Sequence, residues 1–345
     1  MERETESSQE SMMFRRGFTL LLLLIGSGQM TIISSQLAEC LGPQLAEFLV
    51  TPASAEYEEL RNGIAARVTR SPHAILQLQR LSDVTTAVNC ARQNGISPVP
   101  RSGKHSYESL SSMDNQLVID LGNCAAVNVL PNQDVATFES GATLGQIYTE
   151  LWNQGGYSFN AGNCPSVGAG GHLLGGGYGF QSRKYALSSD QIIAMNVVLA
   201  DGTEVVANAT SHTDLYWALR GGGAGSFGIV TQFTVNVFKE PVNTVFRIDF
   251  TPNATVLDHW QRYFIHSAPI ELTATVTVFK KNIEIVGHYT GSKEALEQFL
   301  DSTGTLRLST IKWSIIEECN ILGIGFYSPY YPILSFIPHI SYTIS

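Results

Sequence analysis

Two short segments of the sequence combine small residues with side chains that can bond to a ligand. The denser one, residues 162–179, reads GNCPSVGAGGHLLGGGYG, and eight of its eighteen residues are glycine. Glycine allows backbone N–H groups to approach a ligand closely, and successive N–H groups in such loops bind anions, so a diphosphate fits this segment. The apolar residues among the glycines, such as Leu173 and Leu174, favour a packed wall over a flexible linker.

The second segment, residues 101–107, reads RSGKHSY and lies between two strand-like stretches. It also combines small residues with hydrogen-bond donors, although a single histidine in a loop is a weak signal. Cys164 in the first segment would, without further information, be interpreted as a disulfide partner.

Several other motifs are absent or occur in the wrong context. Residues 223–228 match GxGxxG, but a predicted helix precedes them and a strand follows, which reverses the dinucleotide fingerprint. No GxSxG, HExxH or CxxC occurs, and the eight histidines show no metal-ligand spacing, so no metal is expected. The net charge of −9 and the lack of a Lys/Arg cluster argue against a nucleic-acid partner.

The apolar pattern predicts an α+β chain with many strands. The predicted helices cover residues 36–50, 57–61, 82–94, 143–154, 213–219, 253–267 and 292–300. The predicted strands cover residues 74–79, 97–101, 116–121, 134–139, 192–199, 203–207, 229–238, 245–250, 272–280 and 283–289. From Glu240-Pro241 onward the order of elements suggests an antiparallel sheet that is covered by helices on one face.

The N-terminal region is typical of a secreted protein. Arg15 and Arg16 precede the apolar run 18–25 and a group of small residues, which indicates a signal peptide, with an uncleaved anchor as the alternative. Translation could also start at Met12 or Met13. After cleavage no stable membrane insertion is expected. Two glycosylation sequons begin at Asn208 and Asn253.

The two segments, in this order and at this separation, resemble the FAD-linked oxidases related to berberine bridge enzyme. These proteins carry the PCMH-type FAD-binding domain of the vanillyl-alcohol-oxidase superfamily. The resemblance covers about residues 37–240 and also takes in residues 187–202 and 214–233. Together with the signal pattern, it suggests a signal region at 1–35, an N-terminal helical segment at 36–67, a two-subdomain FAD-binding domain at 68–240 and a partial antiparallel-sheet substrate domain at 241–320. The tail at 321–345 is atypical and does not resemble the family.

The resemblance also implies a role for each segment. His105 matches the histidine that joins the 8α-methyl group of FAD, and Cys164 matches the cysteine that joins C6 of the ring, so the cofactor would be bicovalent. The other residues implied to line the cofactor are Arg101, Ser102, Gly103, Lys104, Ser106, Gly162, Val167, Gly168, Gly170, Gly171, His172, Gly228, Ile229 and Val230.

Further positions follow from the same resemblance. It implies a disulfide between Cys40 and Cys90, and leaves open whether Cys124 and Cys319 pair. The commonest family loop has glycine where Lys104 stands, so this lysine either bears the cost of a positive φ or places a cation near the diphosphate. Tyr107 either contacts the substrate or packs beside the loop.

The function implied is that of a secreted oxidase acting on a CH–OH group. A base removes the hydroxyl proton while a hydride passes to flavin N5, and molecular oxygen then yields H2O2. Val167 stands where oxygen-using members carry a small residue. The expected substrate is a small molecule or oligosaccharide, with an alkaloid or other secondary metabolite as the alternative. The family's catalytic bases lie beyond the length of this chain, so the base is not assigned and a truncated, inactive binding remnant stays a rival.

Overall fold

The computed structural model describes residues 33–223, 225–308 and 310–319. The apolar run 18–25 of the predicted signal and the predicted tail 321–345 lie outside these residues. The chain divides into two compact units. The first contains the described residues up to Pro100 together with Ser106–Asp120, and the second contains Arg101–His105 and the described residues from Leu121 onward. The domain bounds given above stay predictions.

The first unit is built on a small mixed sheet. Its elements are α1 (33–46), β1 (Leu49–Val50), α2 (Tyr57–Arg61), β2 (Ala74–Gln77), α3 (Val84–Gln93), β3 (Pro98–Arg101) and β4 (Leu117–Asp120). The strand order is β1-β2-β4-β3, with β2 and β4 parallel. A disulfide joins Cys40 on α1 to Cys90 on α3, the pair that the resemblance implied.

The predicted helix over residues 36–50 is wrong at its C-terminal end. Helix α1 stops at residue 46, and Leu49 and Val50 pair antiparallel with Leu76 and Ile75 of β2. Val50 is buried beside Ile75 in the core of this unit, so pairing with a distant strand overrides the local helical pattern.

The second unit contains a five-stranded antiparallel sheet in the order β5-β6-β10-β8-β9. Its strands are β5 (Val127–Val129), β6 (Val135–Glu139), β8 (Ile192–Val198), β9 (Glu204–Asn208) and β10 (Ile229–Asn236). The helices of this part of the unit are α4 (Leu144–Asn153), α5 (Ala169–Leu174), α6 (Ser182–Tyr185) and α7 (Thr213–Leu219). The predicted cap of α4 is present, because Thr143 and Gln146 form a capping box. Phe138, Phe233 and Leu151 lie in the core that joins sheet and helices.

A second sheet in this unit has the order β13-β14-β12-β15, and every described pair is antiparallel. Its strands are β12 (Asn243–Phe250), β13 (Leu272–Val278), β14 (Ile283–Tyr289) and β15 (Ile311–Cys319), and its helices are α8 (Ala254–Trp260) and α9 (Lys293–Ser302). Phe246, Ile285, Val256 and Leu296 share one core, so both helices pack on one face of the sheet, as the sequence predicted.

Several elements were not predicted, and strand β15 is the longest of them. The predicted strand 229–238 is interrupted at Val237, and β11 (Phe238–Lys239) turns away to pair with β7 (Tyr157–Ser158). Helix α5 begins inside the glycine-rich segment, which the sequence suggested was a loop. Within the described residues, no helix is long and apolar enough to cross a membrane.

Candidate cofactor site

The loop that carries the histidine, residues 101–105, is anchored at its start. Arg101 is 1% exposed, and its carbonyl oxygen accepts a hydrogen bond from Leu121 N at 2.8 Å. Ser102 Oγ donates a hydrogen bond to Ser140 O at 2.6 Å. The predicted residues Arg101 and Ser102 therefore fix the loop through a buried side chain and a hydrogen bond to the end of β6.

Two glycines let this loop pass the glycine-rich segment at backbone contact distance. A Cβ added to Gly103 would lie 2.2 Å from Gly168 N, and a Cβ added to Gly168 would lie 2.0 Å from Ser102 Oγ. Real Cβ atoms do not approach so closely, so both positions require glycine. The sequence predicted that these glycines let the backbone approach a ligand. In the structure, Gly103 and Gly168 let the two loops approach each other.

His105 and Cys164 meet at the hydroxyl of Ser166. His105 Nε2 lies 2.9 Å from Ser166 Oγ, and Cys164 Sγ lies 3.8 Å from the same oxygen. The His105 ring and the Cys164 thiol therefore both lie against one hydroxyl group. Cys164 is exposed and takes part in no disulfide. Burial lowers the pKa of His105, so its imidazole is neutral and keeps a lone pair near neutral pH.

Gly162, two residues before Cys164, is held from both sides. Its N–H donates to His172 Nε2 at 3.0 Å, and its carbonyl oxygen accepts from the Tyr148 hydroxyl at 2.5 Å. Burial lowers the pKa of His172 to about 4, so the ring is neutral and its Nε2 can accept a hydrogen bond. Sequence reasoning found His172 but missed Tyr148, because a tyrosine on the buried face of a helix carries no signal of this contact.

Val167 connects the cysteine to α5 and to the core. Leu144 N donates to Val167 O at 2.9 Å, and Ala169 N donates to Ala142 O at 2.8 Å. Val167 also packs against the core of the five-stranded sheet. The segment after Cys164 is therefore fixed by backbone bonds to the start of α4.

Ser140, which the sequence did not single out, joins both loops to β10. Its carbonyl oxygen accepts from Ser102 Oγ and from Gly170 N at 3.1 Å, and its N–H donates to Thr231 O at 2.9 Å. Ser140 is 1% exposed, and its Oγ has no hydrogen-bond partner among the described residues. A buried hydroxyl without a partner is costly, and a ligand atom could satisfy it.

The predicted residues at the start of β10 lie on a partly open strand. Ile229 and Val230 pair with β8, whereas pairing of β10 with β6 begins only at Gln232. Gly228 has a φ of 147°, and a Cβ added there would lie 2.8 Å from Val197 Cγ1. On the side that faces β6, the backbone of Ile229 and Val230 is therefore not paired with that strand.

Other residues predicted to line the cofactor differ in conformation and exposure. Lys104 has a φ of 60°, so it does occupy the left-handed region. Gly171 is exposed, and no atom lies within 4 Å of a Cβ added there. Ser106 and Tyr107 belong to the first unit, where Ser106 Oγ accepts from Leu110 N at 3.1 Å and Tyr107 is 75% exposed. The structure therefore does not place these two in one unit with His105.

The remaining predicted positions lie outside this cluster. Neither Cys124 nor Cys319 takes part in a disulfide, so the pairing that the sequence left open is not formed. Asn208 Oδ1 accepts from Ser211 N, and Asn253 Oδ1 accepts from Thr255 N at the start of α8; glycosylation of both stays a prediction. Among the described residues, no group of three or more His, Cys, Asp or Glu side chains could hold a metal ion.

The residues of this cluster fit a flavin dinucleotide. Glycine-lined backbone can approach a diphosphate, the Ser140 hydroxyl lacks a partner, and two nucleophiles stand side by side. The 8α-methyl group and C6 of a flavin belong to the same ring, so two neighbouring nucleophiles can reach both.

Comparison with known proteins defines the class. Residues 72–208 match a family model described as an FAD binding domain. The xylooligosaccharide oxidase of Thermothelomyces thermophilus is 35% identical over 253 residues, which are 71% of this chain and 51% of that protein. The structure of Physcomitrella patens BBE-like 1 superposes with a TM-score of 0.77 at 33% identity, over 84% of this chain and 64% of that one.

A third relative has a described flavin linkage. The glucooligosaccharide oxidase of Acremonium strictum, which contains a 6-S-cysteinyl, 8α-N1-histidyl FAD, superposes with a TM-score of 0.75 at 31% identity, over 82% of this chain and 61% of that one. This chain belongs, over the part that it spans, to the berberine-bridge-enzyme-like FAD-linked oxidoreductases, and its α+β fold of PCMH type is confirmed. It spans about half, or less, of the length of the curated relatives it matches.

Proposed function

We propose that this chain binds FAD through two covalent links, to His105 and Cys164, and belongs to a secreted oxidase of alcohol or sugar CH–OH groups. The single observation that carries the proposal is the contact of both side chains with Ser166 Oγ, at 2.9 and 3.8 Å. The two links would go to C6 and to the methyl group on C8 of one flavin ring, so both nucleophiles must lie near that ring.

The residues around the cofactor have distinct parts in this proposal. Gly103 and Gly168 let the two loops approach, while Ser102 and Gly170 tie them to Ser140. Gly162, braced by His172 and Tyr148, fixes the backbone that carries Cys164. When bound, the flavin accepts a hydride from the substrate carbon.

Carbohydrate oxidation is the proposed reaction, with oxygen as the electron acceptor and H2O2 as the second product. Oxidases of xylo-, gluco- and chito-oligosaccharides among the relatives support this substrate class. The small side chain of Val167, three residues after Cys164, supports oxygen as the acceptor. The base that removes the hydroxyl proton is not assigned.

The first test is an absorbance spectrum of the secreted protein before and after acid precipitation. We expect a flavin spectrum that stays with the precipitated protein, because a covalent link survives unfolding. His105→Ala and Cys164→Ser should each remove one link, and the double variant should release all flavin into the supernatant. His266→Ala, which changes an exposed histidine, serves as the matched control and should keep both links.

The reaction itself is tested by adding oligosaccharides to the flavin-bearing protein without oxygen. Bleaching of the flavin absorbance by a sugar, followed by H2O2 formation on readmission of air, would support the proposed reaction. A protein that carries covalent flavin but is bleached by none of the sugars would support the inactive alternative. Colour that is released by acid from the unaltered protein would contradict the two attachment sites.

A further inference from the structure

Ser166 contacts both proposed attachment residues with one oxygen atom. Its Oγ lies 2.9 Å from His105 Nε2 and 3.8 Å from Cys164 Sγ, within the longer range that hydrogen bonds to sulfur allow. A serine hydroxyl accepts hydrogen bonds with its lone pairs and donates one with its proton. It can therefore accept from the histidine and donate to the cysteine at the same time.

The histidine side of this contact decides which ring nitrogen can react. A neutral imidazole has a proton on one nitrogen and a lone pair on the other, and only the lone pair can form a bond to carbon. If Nε2–H donates to Ser166 Oγ, the lone pair lies on Nδ1. Nδ1 makes no hydrogen bond within the described residues, so it is the nitrogen left available to a ligand.

The cysteine side of the contact concerns the form of the thiol. A thiolate is the nucleophilic form of cysteine, and a hydrogen bond donated to it favours that form. When Ser166 Oγ accepts from His105, its own proton is left to be donated to Cys164 Sγ. One arrangement of protons therefore prepares both nucleophiles.

We propose that Ser166 is a positioning residue for the two attachments, which selects Nδ1 of His105 as the attacking nitrogen and stabilises the Cys164 thiolate. This inference rests on the proposed function. Each attachment replaces one C–H bond of the cofactor by a C–N or C–S bond. For each link, two protons and two electrons pass to molecular oxygen, which becomes H2O2. One proton comes from the C–H bond, and the other comes from the imidazole or from the thiol as it ionises. As Nδ1 bonds to carbon, the proton on Nε2 leaves by way of Ser166 Oγ.

The test compares Ser166→Thr with Ser166→Val, two side chains of nearly equal shape of which only threonine keeps the hydroxyl. FAD is added in air to flavin-free protein, and covalent incorporation is followed over time as flavin that stays with the denatured protein. We expect Ser166→Val to slow the attachment about tenfold or more, the factor that corresponds to one lost hydrogen bond. Ser166→Thr should stay within about threefold of the unaltered protein.

A second readout separates positioning from a general loss of structure. Total FAD bound before denaturation should be similar in both variants, because Ser166 is exposed and its two contacts are to the attachment residues. Digestion and NMR of the flavin-bearing peptide from the unaltered protein should locate the histidine link at Nδ1.

The outcomes distinguish this inference from the proposed function. If Ser166→Val attaches flavin at the unaltered rate, or if both variants are slowed equally, the role of Ser166 is refuted while the covalent cofactor stands. If the unaltered protein binds FAD but retains none after denaturation, the proposed attachment fails first, and the role of Ser166 fails with it.

Discussion

Gly103 and Gly168 determine how close His105 and Cys164 can come to each other. The two glycines lie where the loops that carry these side chains cross, and a Cβ at either position would overlap backbone or Ser102 Oγ. A larger residue at either position would force the loops apart and would separate the histidine from the cysteine. Sequence reasoning predicted glycine for approach to a ligand, but contact between the loops depends on three-dimensional packing and could not be read from their spacing.

Lys104 occupies the left-handed region with a φ of 60°, next to the proposed attachment histidine. This conformation costs a residue with a Cβ about 1–2 kcal/mol, whereas glycine adopts it readily. We expect Lys104→Gly to be more stable than Lys104→Ala by about 1 kcal/mol in urea unfolding, because both lose the lysine side chain and only alanine keeps the strain. Equal stability of the two variants would show that the backbone at this position is not strained.

The residues that sequence reasoning found are those whose types are unusual in their context, such as His105, Cys164 and His172. It missed Ser140 and Tyr148, which act through a backbone carbonyl and a buried hydroxyl. Ser140 follows β6 and is indistinguishable in the sequence from any strand-end serine. Its importance comes from lying where the two loops meet the end of the sheet.

At the level of elements, most long periodic segments were predicted, but the nine-residue strand β15 and the shortest elements were not. Strands β8, β10, β12, β13 and β14 and helices α4 and α9 appear close to their predicted positions. Strands β1, β7 and β11 have two residues each and exist because a distant partner pairs with them. Two residues carry no periodicity, so only the tertiary contacts define these elements.

Glu240 lies between β11, which pairs with β7, and β12 of the four-stranded sheet. Its N–H donates to Gly156 O at 2.9 Å, and Asn243 Nδ2 donates to its carboxyl. Burial nevertheless raises the pKa of Glu240 from 4.5 to about 7, since the charged form is poorly solvated there.

This raised pKa predicts a dependence of stability on pH. Between pH 4.5 and about 7 the folded protein holds a proton on Glu240 that the unfolded chain has lost, so stability falls as the pH rises through this window. The contribution lost by pH 8 is on the order of 3 kcal/mol. We expect Glu240→Gln to reduce this fall in the free energy of unfolding, as measured by urea unfolding at pH values from 4.5 to 8. Glu59→Gln, at an exposed position, should leave the curve unchanged; an equally steep fall in Glu240→Gln would assign the pH dependence to other groups.

For the molecule as a whole, the sequence predicted the α+β class and the flavin-binding family because both depend on long segments and on two rare motifs. It did not predict that residues 101–105 belong to a different compact unit from the residues on either side. The chain enters the second unit for five residues, contributes His105, and returns to the first. Such a crossing leaves no mark in composition or periodicity.

The five cysteines allow one measurement that tests the proposed chemistry over the whole chain. Cys40 and Cys90 are joined, while Cys124, Cys164 and Cys319 are not in disulfides. Unfolded without reductant, the flavin-free protein should therefore show three reactive thiols. The flavin-bearing protein should show two, because a thioether to the cofactor removes Cys164 from the count.

In the folded protein, the rate at which each thiol reacts should depend on its burial. Cys124 is 2% exposed, and burial raises the pKa of Cys319 to about 12, so both should react slowly with a thiol reagent near pH 8. Exposed Cys164 should react first in the flavin-free protein, and bound flavin should abolish this fast phase.

Three thiols in unfolded, flavin-bearing protein would contradict the link at Cys164, whereas a single thiol in the flavin-free protein would mean that two further cysteines had paired. Reduction before the assay should add two thiols in either form, which identifies the disulfide independently of the cofactor.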